Sequence, residues 1–257
     1  MTGNQIVNGY MASFPRRFEV MKDTLPQAAK QVTTLHLVLN EVSCAPSWVS
    51  DIENVKVYFP ERDLKDVGKF FVDWSDADWV VMFDDDIIYP DDYVCASLKE
   101  IDRLAFSRSI YGYHGTTYRR LPSRRHPFQV VRGLLAGYLG AGIFRDTFSF
   151  DEILEAPRFV DQIGTGTLFA RPEDLPSFLE MNEALCRVDT ALARWAFCEG
   201  REMVILPRKS GWLKPVETDE SIYSGYTARF PKAFREDVRS FAYKRNLRGP
   251  IEVGRPV

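Results

Sequence analysis

The chain has 257 residues, 45% of them hydrophobic and 27% charged, with a formal net charge of -3. That length suits one large α/β domain, and the composition is that of an ordinary globular protein with a core, which excludes disorder for the bulk of it. The negative balance argues against a general affinity for nucleic acid, and no apolar run approaches the ~18 residues of a membrane span, so membrane contact is expected to be peripheral at most.

In chain order, short β-branched runs at Gln5–Met11, Leu35–Leu39, Val55–Phe59 and Asp78–Phe83 alternate with helical patterns. This alternation predicts βαβ units and a mixed, mostly parallel sheet. Phe18, Met21, Leu25 and Ala28 recur at helical spacing, with Pro26 expected to kink or restart that helix. Tyr93, Ala96, Leu98, Ile101 and Leu104 predict an amphipathic helix behind Asp91 and Asp92, and Ile110–Tyr113 a further strand. From Gly115 to Arg132 the pattern breaks down among Arg119, Arg120, Arg124, Arg125, Arg132, Pro122 and Pro127, which reads as a long basic loop. Periodicity returns as a strand at Gly166–Ala170, helices over Leu175–Cys186 and Thr190–Cys198, and a strand at Glu202–Leu206. A closing helix over Ala233–Arg245 follows. The organisation expected is a main domain over residues 1–215 and an extension over residues 216–257 packed on it, around a sheet of roughly seven strands. Cys44, Cys95, Cys186 and Cys198 are widely spaced without a C-x-x-C pair. Such spacing suggests neither a zinc knuckle nor a disulfide framework and fits a reducing cytoplasm.

The strongest chemical signal is Trp79-Val-Val-Met-Phe-Asp84-Asp85-Asp86-Ile-Ile-Tyr-Pro90, an apolar run ending in three carboxylates. Ligands of open α/β sheets collect outside the carboxyl ends of strands, where this acid would lie. Adjacent carboxylates repel, and a divalent cation compensates them; all-oxygen ligation suits Mn²⁺ or Mg²⁺, which bridge to substrate phosphates. The bland alternative is a set of solvated acids capping the next helix. A phosphatase-type DxDx[TV] site shares the spacing of Asp84 and Asp86, but position 88 is Ile88, without a hydroxyl.

The ordered set Met11-Ala-Ser13-Phe-Pro15-Arg16-Arg17, Leu37-Val-Leu-Asn40, Asp66-Val-Gly68-Lys69 and Asp84-Asp85-Asp86 with Tyr89-Pro90-Asp91-Asp92-Tyr93 resembles the family 2-like GT-A glycosyltransferases over roughly residues 5–215. The resemblance implies a GT-A, nucleotide-diphospho-sugar transferase fold. It implies that Ser13, Pro15 and Arg16 enclose a nucleotide, that Asn40 faces the base, and that Lys69 approaches base or diphosphate. Asp84 or Asp85 would touch the ribose, with Asp86, and Asp84 beside it, on the metal. Ser13 and Asn40 read equally as turn residues and Lys69 as a surface charge.

Gly164-Thr165-Gly166-Thr167 resembles the turn such enzymes place beneath donor sugar and acceptor, with Gly166 and Thr167 toward the donor. Asp189 resembles the acidic position that serves as base in inverting members, and is also a preferred helix cap. Asp161 is the second acid beside that turn. One departure is that His36, His114 and His126 all precede Asp189, so the C-terminal histidine ligand of many GT-A enzymes is missing; Lys209, Lys214 or Glu217–Tyr223 are its candidate replacements.

The activity so implied is transfer of a sugar from a nucleotide-sugar donor to the hydroxyl of a glycan or lipid-linked acceptor, in surface glycan or polysaccharide synthesis. It would take place in the cytoplasm or at the inner face of its membrane. A nucleotidyltransferase sharing the acidic metal site, and a non-catalytic carbohydrate-binding protein of the same fold, are the alternatives. The arginine-rich loop reads as a solvated excursion or as a clamp on an anionic acceptor.

Overall fold

A computed structural model of the chain describes residues 5–119, 144–216 and 232–251. Strands β1 (Val7–Ser13), β2 (Thr34–Leu39), β3 (Val55–Tyr58) and β4 (Trp79–Phe83) form one half of a nine-stranded sheet. β6 (Ser109–Gly112), β9 (Arg158–Phe159), β11 (Thr167–Ala170), β12 (Glu202–Ile205) and β14 (Gly249–Pro250) form the other. The spatial order is β14-β9-β12-β6-β11-β4-β1-β2-β3. β1 pairs in parallel with both β2 and β4, β2 with β3, and β6 with β12, while β11 runs antiparallel between β4 and β6. The nine strands replace the roughly seven expected, because β9 and β14 are two-residue strands too short to leave a periodic signal.

The chain steps outward from β1 to β3 and then returns to the opposite side of β1 as β4. That reversal leaves a crevice at the carboxyl ends of β1 and β4, which is where an open α/β sheet collects ligands. The register pairs Met11 with Phe83, so Ser13 and Asp85 leave the sheet side by side. Alternation in β4 sends Val80 and Met82 into one core and Trp79, Val81 and Phe83 into the other, as a strand covered on both faces requires.

Helix α1 (Phe18–Ala29) and helix α2 (Tyr93–Leu104) close the second of these cores. Pro26 does not restart the helix: α1 runs through it as one element. Met21, Leu25, Ala28 and Ala29 are wholly buried, and their packing outweighs the ~3 kcal/mol that an interior proline costs.

The expected helix over Leu175–Cys186 is reduced to a single turn, α3 (Phe178–Met181). Pro176 lacks the N–H a longer helix needs, and the Ser177 N–H donates to Glu180 Oε2 at 2.7 Å, setting the start of the turn after it. Helix α4 (Val188–Cys198) packs against helix α5 (Lys232–Phe241) on the other face.

Gly115 does not open a loop. Residues Gly115–Arg119 are strand β7, paired with β8 (Phe144–Phe148) and β10 (Gln162–Ile163) in a separate three-stranded antiparallel sheet. The paired residues of β8 lie 25 to 33 positions away in sequence, which is why local pattern misses them. Arg120, Arg124, Arg125, Arg132 and His126 lie outside the described residues, as does Glu217–Tyr223. Among the described residues no helix is long and apolar enough to cross a membrane, and all four cysteines are free thiols.

Candidate active site

The three carboxylates leave the end of β4 in three directions, and each meets a different partner. The Lys69 ammonium, on the 3-10 turn Lys65–Phe70, pairs with Asp84 Oδ1. The Ser13 hydroxyl donates to Asp85 Oδ2 at 2.6 Å, and the Arg17 guanidinium lies 2.9 Å from Asp86 Oδ2 and 3.9 Å from Asp85 Oδ1. Thr24 of α1 fixes the triplet from behind by donating to the Asp85 carbonyl at 2.8 Å. The expected mutual repulsion is therefore met first by two cations of the chain itself.

Electrostatics separate the members. Burial pushes the Asp85 carboxyl up to about 6 against the pull of the Ser13 hydroxyl and Arg17. Burial and then the Asp84 charge raise Asp86, opposed by Arg17. Burial pulls the Lys69 amine down, but the carboxylates of Asp84, Asp189 and Asp66 overcome it and hold the ammonium above the usual lysine range.

The glycine turn lies directly under the triplet. A Cβ placed on Gly166 would stand 1.9 Å from Asp84 Oδ2, so the carboxylate occupies the space only glycine leaves. The Tyr89 hydroxyl joins the two, accepting from the Asp84 N–H at 2.8 Å and donating to the Gly166 carbonyl at 2.6 Å. Across the same turn, Asp189 Oδ1 accepts the Thr165 N–H at 2.9 Å. Burial pushes Asp189 up to about 6, with Thr165 and Lys69 drawing it back.

Asp189 lies in the first turn of α4 and spends one carboxylate oxygen on the loop rather than on capping its own helix. Its position is set by Asp66, which accepts the N–H groups of Cys186 at 2.7 Å and Val188 at 3.3 Å and so grips the bend at Cys186, where φ is +60°. Asp66 and Lys69 share one turn, so a single short element orients both the cation on Asp84 and the chain leading to Asp189.

Asp84, Lys69, Arg17, Asp66, Thr165 and Asp189 line one cleft of about 1070 Å³, together with Ser13, Arg16, Asn40, Asp85, Asp86, Gly166 and Thr167. Pro15 does not line it. Asn40 turns its amide onto the chain, accepting from the Leu64 N–H at 2.9 Å and donating to the Lys65 carbonyl at 3.2 Å. Thr167 Oγ1 accepts the Tyr113 and His114 N–H groups at 3.0 and 3.2 Å, which holds the glycine turn against β6. Asp161 is fully buried, takes the Tyr118 N–H at 2.7 Å and pairs with Arg248 at 2.6 Å, so it braces the C-terminal segment.

His36 stacks on Tyr10 and bonds the Tyr58 hydroxyl at 2.9 Å. Trp212 packs on Tyr93 and Tyr113 as an anchor. Lys214–Val216 reaches the triplet: β13 (Lys214–Pro215) pairs with β5 (Ile87–Ile88), and the Val216 N–H donates to the Asp86 carbonyl at 2.8 Å. Sequence reading gave no role to Arg17, Thr165 or Tyr89. Arg17 was readable as the second arginine of the pair after Pro15, but Tyr89 and Thr165 act through bonds to or from distant backbone and side-chain atoms that leave no local signal.

The donor set suits a hard divalent cation in part. Asp84 and Asp86 each give one oxygen to a cation of the chain, and their side chains remain 39% and 32% exposed toward the cleft. Among the described residues no three His, Cys, Asp or Glu side chains form an ion-holding group by themselves. Two carboxylates completed by phosphate oxygens and water is the usual provision for Mg²⁺, and these residues fit it.

No protein-family model and no curated protein matches the chain. Solved structures do resemble it, among them the following two. S. aureus TarS 1-349 aligns over 80% of this chain and 59% of its own, at 12% identity and TM-score 0.48. GalNAc-T7, solved with UDP, GalNAc and Mn²⁺, aligns over 84% and 44% at 9% identity and TM-score 0.51. The chain thus spans roughly half the length of the structures it matches. What is shared is the fold: this chain has the GT-A fold, a mixed α/β sheet flanked by helices.

Proposed function

We propose that the chain is a glycosyltransferase that moves a sugar from a nucleotide diphospho-sugar to an acceptor hydroxyl with the help of Mn²⁺ or Mg²⁺. One observation carries this reading: Asp84 and Asp86, with Lys69 and Arg17 beside them, share a cleft with Asp189 across a glycine turn that Asp84 itself fills. The fold common with GalNAc-T7, solved with UDP, GalNAc and Mn²⁺, supports it.

Asp84 and Asp86 would hold the cation, which when bound neutralises charge developing on a leaving diphosphate. Lys69 and Arg17 supply fixed positive charge at the same end of the cleft, pre-organised before any ligand arrives. Asp189 takes the proton of the acceptor hydroxyl as its oxygen bonds to the anomeric carbon and the nucleoside diphosphate departs with the bonding pair. Ser13, Arg16 and Asn40 would enclose the nucleotide, and Thr167 would hold the turn on which the sugar rests. The acceptor fits a hydroxyl of a growing surface glycan, free or lipid-linked.

Thermal shifts with nucleoside diphosphates and Mn²⁺ test the reading. A ligand at a hundred times its dissociation constant adds about 2.7 kcal/mol of stability, and no shift with any nucleotide would overturn it.

Two variants probe the donor end. Lys69→Ala is expected to raise the donor KM more than it lowers kcat, since the ammonium serves bound donor and transition state alike. Unchanged donor kinetics would make Lys69 a counter-charge for Asp84 alone. Gly166→Ala forces Asp84 away, because no Cβ fits 1.9 Å from its Oδ2. Nucleotide affinity is expected to fall ~10-fold or more from that misplacement. Wild-type affinity by calorimetry in Gly166→Ala would remove Asp84 from the donor site.

A further inference from the structure

Between the carboxylates and the small antiparallel sheet, the cleft carries a histidine. His114 joins β6 to β7, and strand alternation sets its direction. The next residue, Gly115, faces the core, where a Cβ would meet Ile205 and Val160. The His114 side chain therefore turns to the opposite face and lines the cleft with Thr116, Gly164 and Phe150. Backbone bonds tie it to the glycine turn: the Gly164 N–H donates to the His114 carbonyl at 3.0 Å, and the His114 N–H donates to Thr167 Oγ1 at 3.2 Å. Gly164 also leaves the ring uncovered. A Cβ there would stand 3.2 Å from His114 Cδ2 and 3.3 Å from its Cβ, so any side chain would crowd the imidazole edge.

The imidazole is neutral. Burial, then the charges of Arg208 and Arg145, push it down to about 4, against a weaker pull from Asp84 and Asp151. A neutral ring has one N–H and one lone pair to place. Nδ1 is enclosed and has no hydrogen-bond partner among the described residues. An enclosed N–H without an acceptor is costly and rare, which puts the proton on Nε2. The Phe150 ring lies beside the imidazole, 6.1 Å between centroids and tilted by 54°. A neutral N–H donor next to an aromatic face is complementary to a pyranose and one of its hydroxyls.

The place of the ring on the turn says which sugar it meets. Gly166 admits Asp84 and Gly164 admits His114, so both side chains pack on one short turn, two residues apart. A diphosphate held at the Asp84 end carries its sugar over that turn. We propose that His114 is a specificity-determining residue, whose Nε2–H reads the orientation of a ring hydroxyl on the donor sugar.

The proposal rests on the transferase reading of the cleft, yet its test does not need turnover. Calorimetric titration with Mn²⁺ would compare UDP-glucose with UDP-galactose and GDP-glucose with GDP-mannose, pairs that differ only at carbon 4 and carbon 2 of the sugar. The wild type is expected to bind one member of a pair ~10-fold or more tightly than the other, as a site that commits a donor to one hydroxyl does. His114→Phe keeps a ring against Gly164 and Phe150 but has no N–H. It is expected to bring that pair within ~2-fold while the bare nucleoside diphosphate binds as in the wild type. His114→Gln, which retains a donor, is expected to keep part of the preference. Gly164→Ala crowds the ring from the turn and is expected to weaken the same preference, so it carries the comparison should His114→Phe melt below the assay temperature. A preference that survives in His114→Phe, or an equal loss of bare nucleoside diphosphate affinity in it, overturns the proposal. So does a wild type that treats both pairs alike. If that wild type also binds no nucleoside diphosphate of any base, the transferase reading falls with it; if it does bind one, only the role of His114 falls.

Discussion

Asp189→Asn is expected to cut turnover ~10²-fold or more, because it removes the proposed proton acceptor and leaves the rest of the cleft in place. Asn keeps an oxygen to accept the Thr165 N–H, which Asp189 takes at 2.9 Å, so the turn should hold its position. Nucleotide affinity is expected to stay near wild type. The pH dependence follows from burial, which pushes the Asp189 carboxyl up to about 6. A base must be deprotonated, so kcat/KM should rise through about pH 6 and level above it, and this limb should vanish in Asp189→Asn.

Stability has the opposite sign. A carboxyl raised on folding favours the native state while protonated; that contribution is full below the ordinary carboxylate range and is lost as pH rises through about 6. Asp189→Asn should therefore melt at or above the wild-type temperature at pH 7–8. Near-normal turnover in the variant, or retained anomeric configuration in the product, would reduce Asp189 to a clip for the glycine turn.

Asp86→Ala is expected to erase the Mn²⁺-dependent part of nucleotide binding, a loss on the order of 10²-fold, without unfolding the chain. Its removal relieves the repulsion from Asp84 that helps raise Asp86, and Arg17, 2.9 Å from Asp86, keeps Asp85 within 3.9 Å as a second partner. Apo stability should thus change little at pH 7. Calorimetric titration of a nucleoside diphosphate with and without Mn²⁺ separates the outcomes. A full metal-dependent increment in Asp86→Ala would rule it out as a ligand, and a metal increment absent even from the wild type would leave Arg17 and Lys69 to carry the anion alone.

The carboxylate triplet was legible because it is a local pattern: a fully buried strand followed at once by acid. The same holds for β1, β2, β3 and β4, whose apolar runs place their carboxyl ends together once the chain reverses, and for the Ser13–Arg17 segment that leaves β1 beside Asp85. Asp189 was legible only through resemblance, since by itself an Asp opening a helix is a cap. Asp66 stood in a quoted motif without a role, because its role is to accept N–H groups 120 and 122 residues away.

The amino-acid sequence by itself determined the fold class and the acid at its centre, because period-2 and period-3.6 patterns and a run of like charge are short-range properties that survive any arrangement of distant segments. Only the tertiary structure decided which charges neutralise that acid, that Gly166 exists to admit Asp84, and that Gly115–Arg119 joins Phe144–Phe148 and Gln162–Ile163 into a wall of the cleft. Each of those depends on strand pairing and side-chain contact between segments far apart in the chain, whose energy lies in cross-strand neighbours and burial and not in the local residue order.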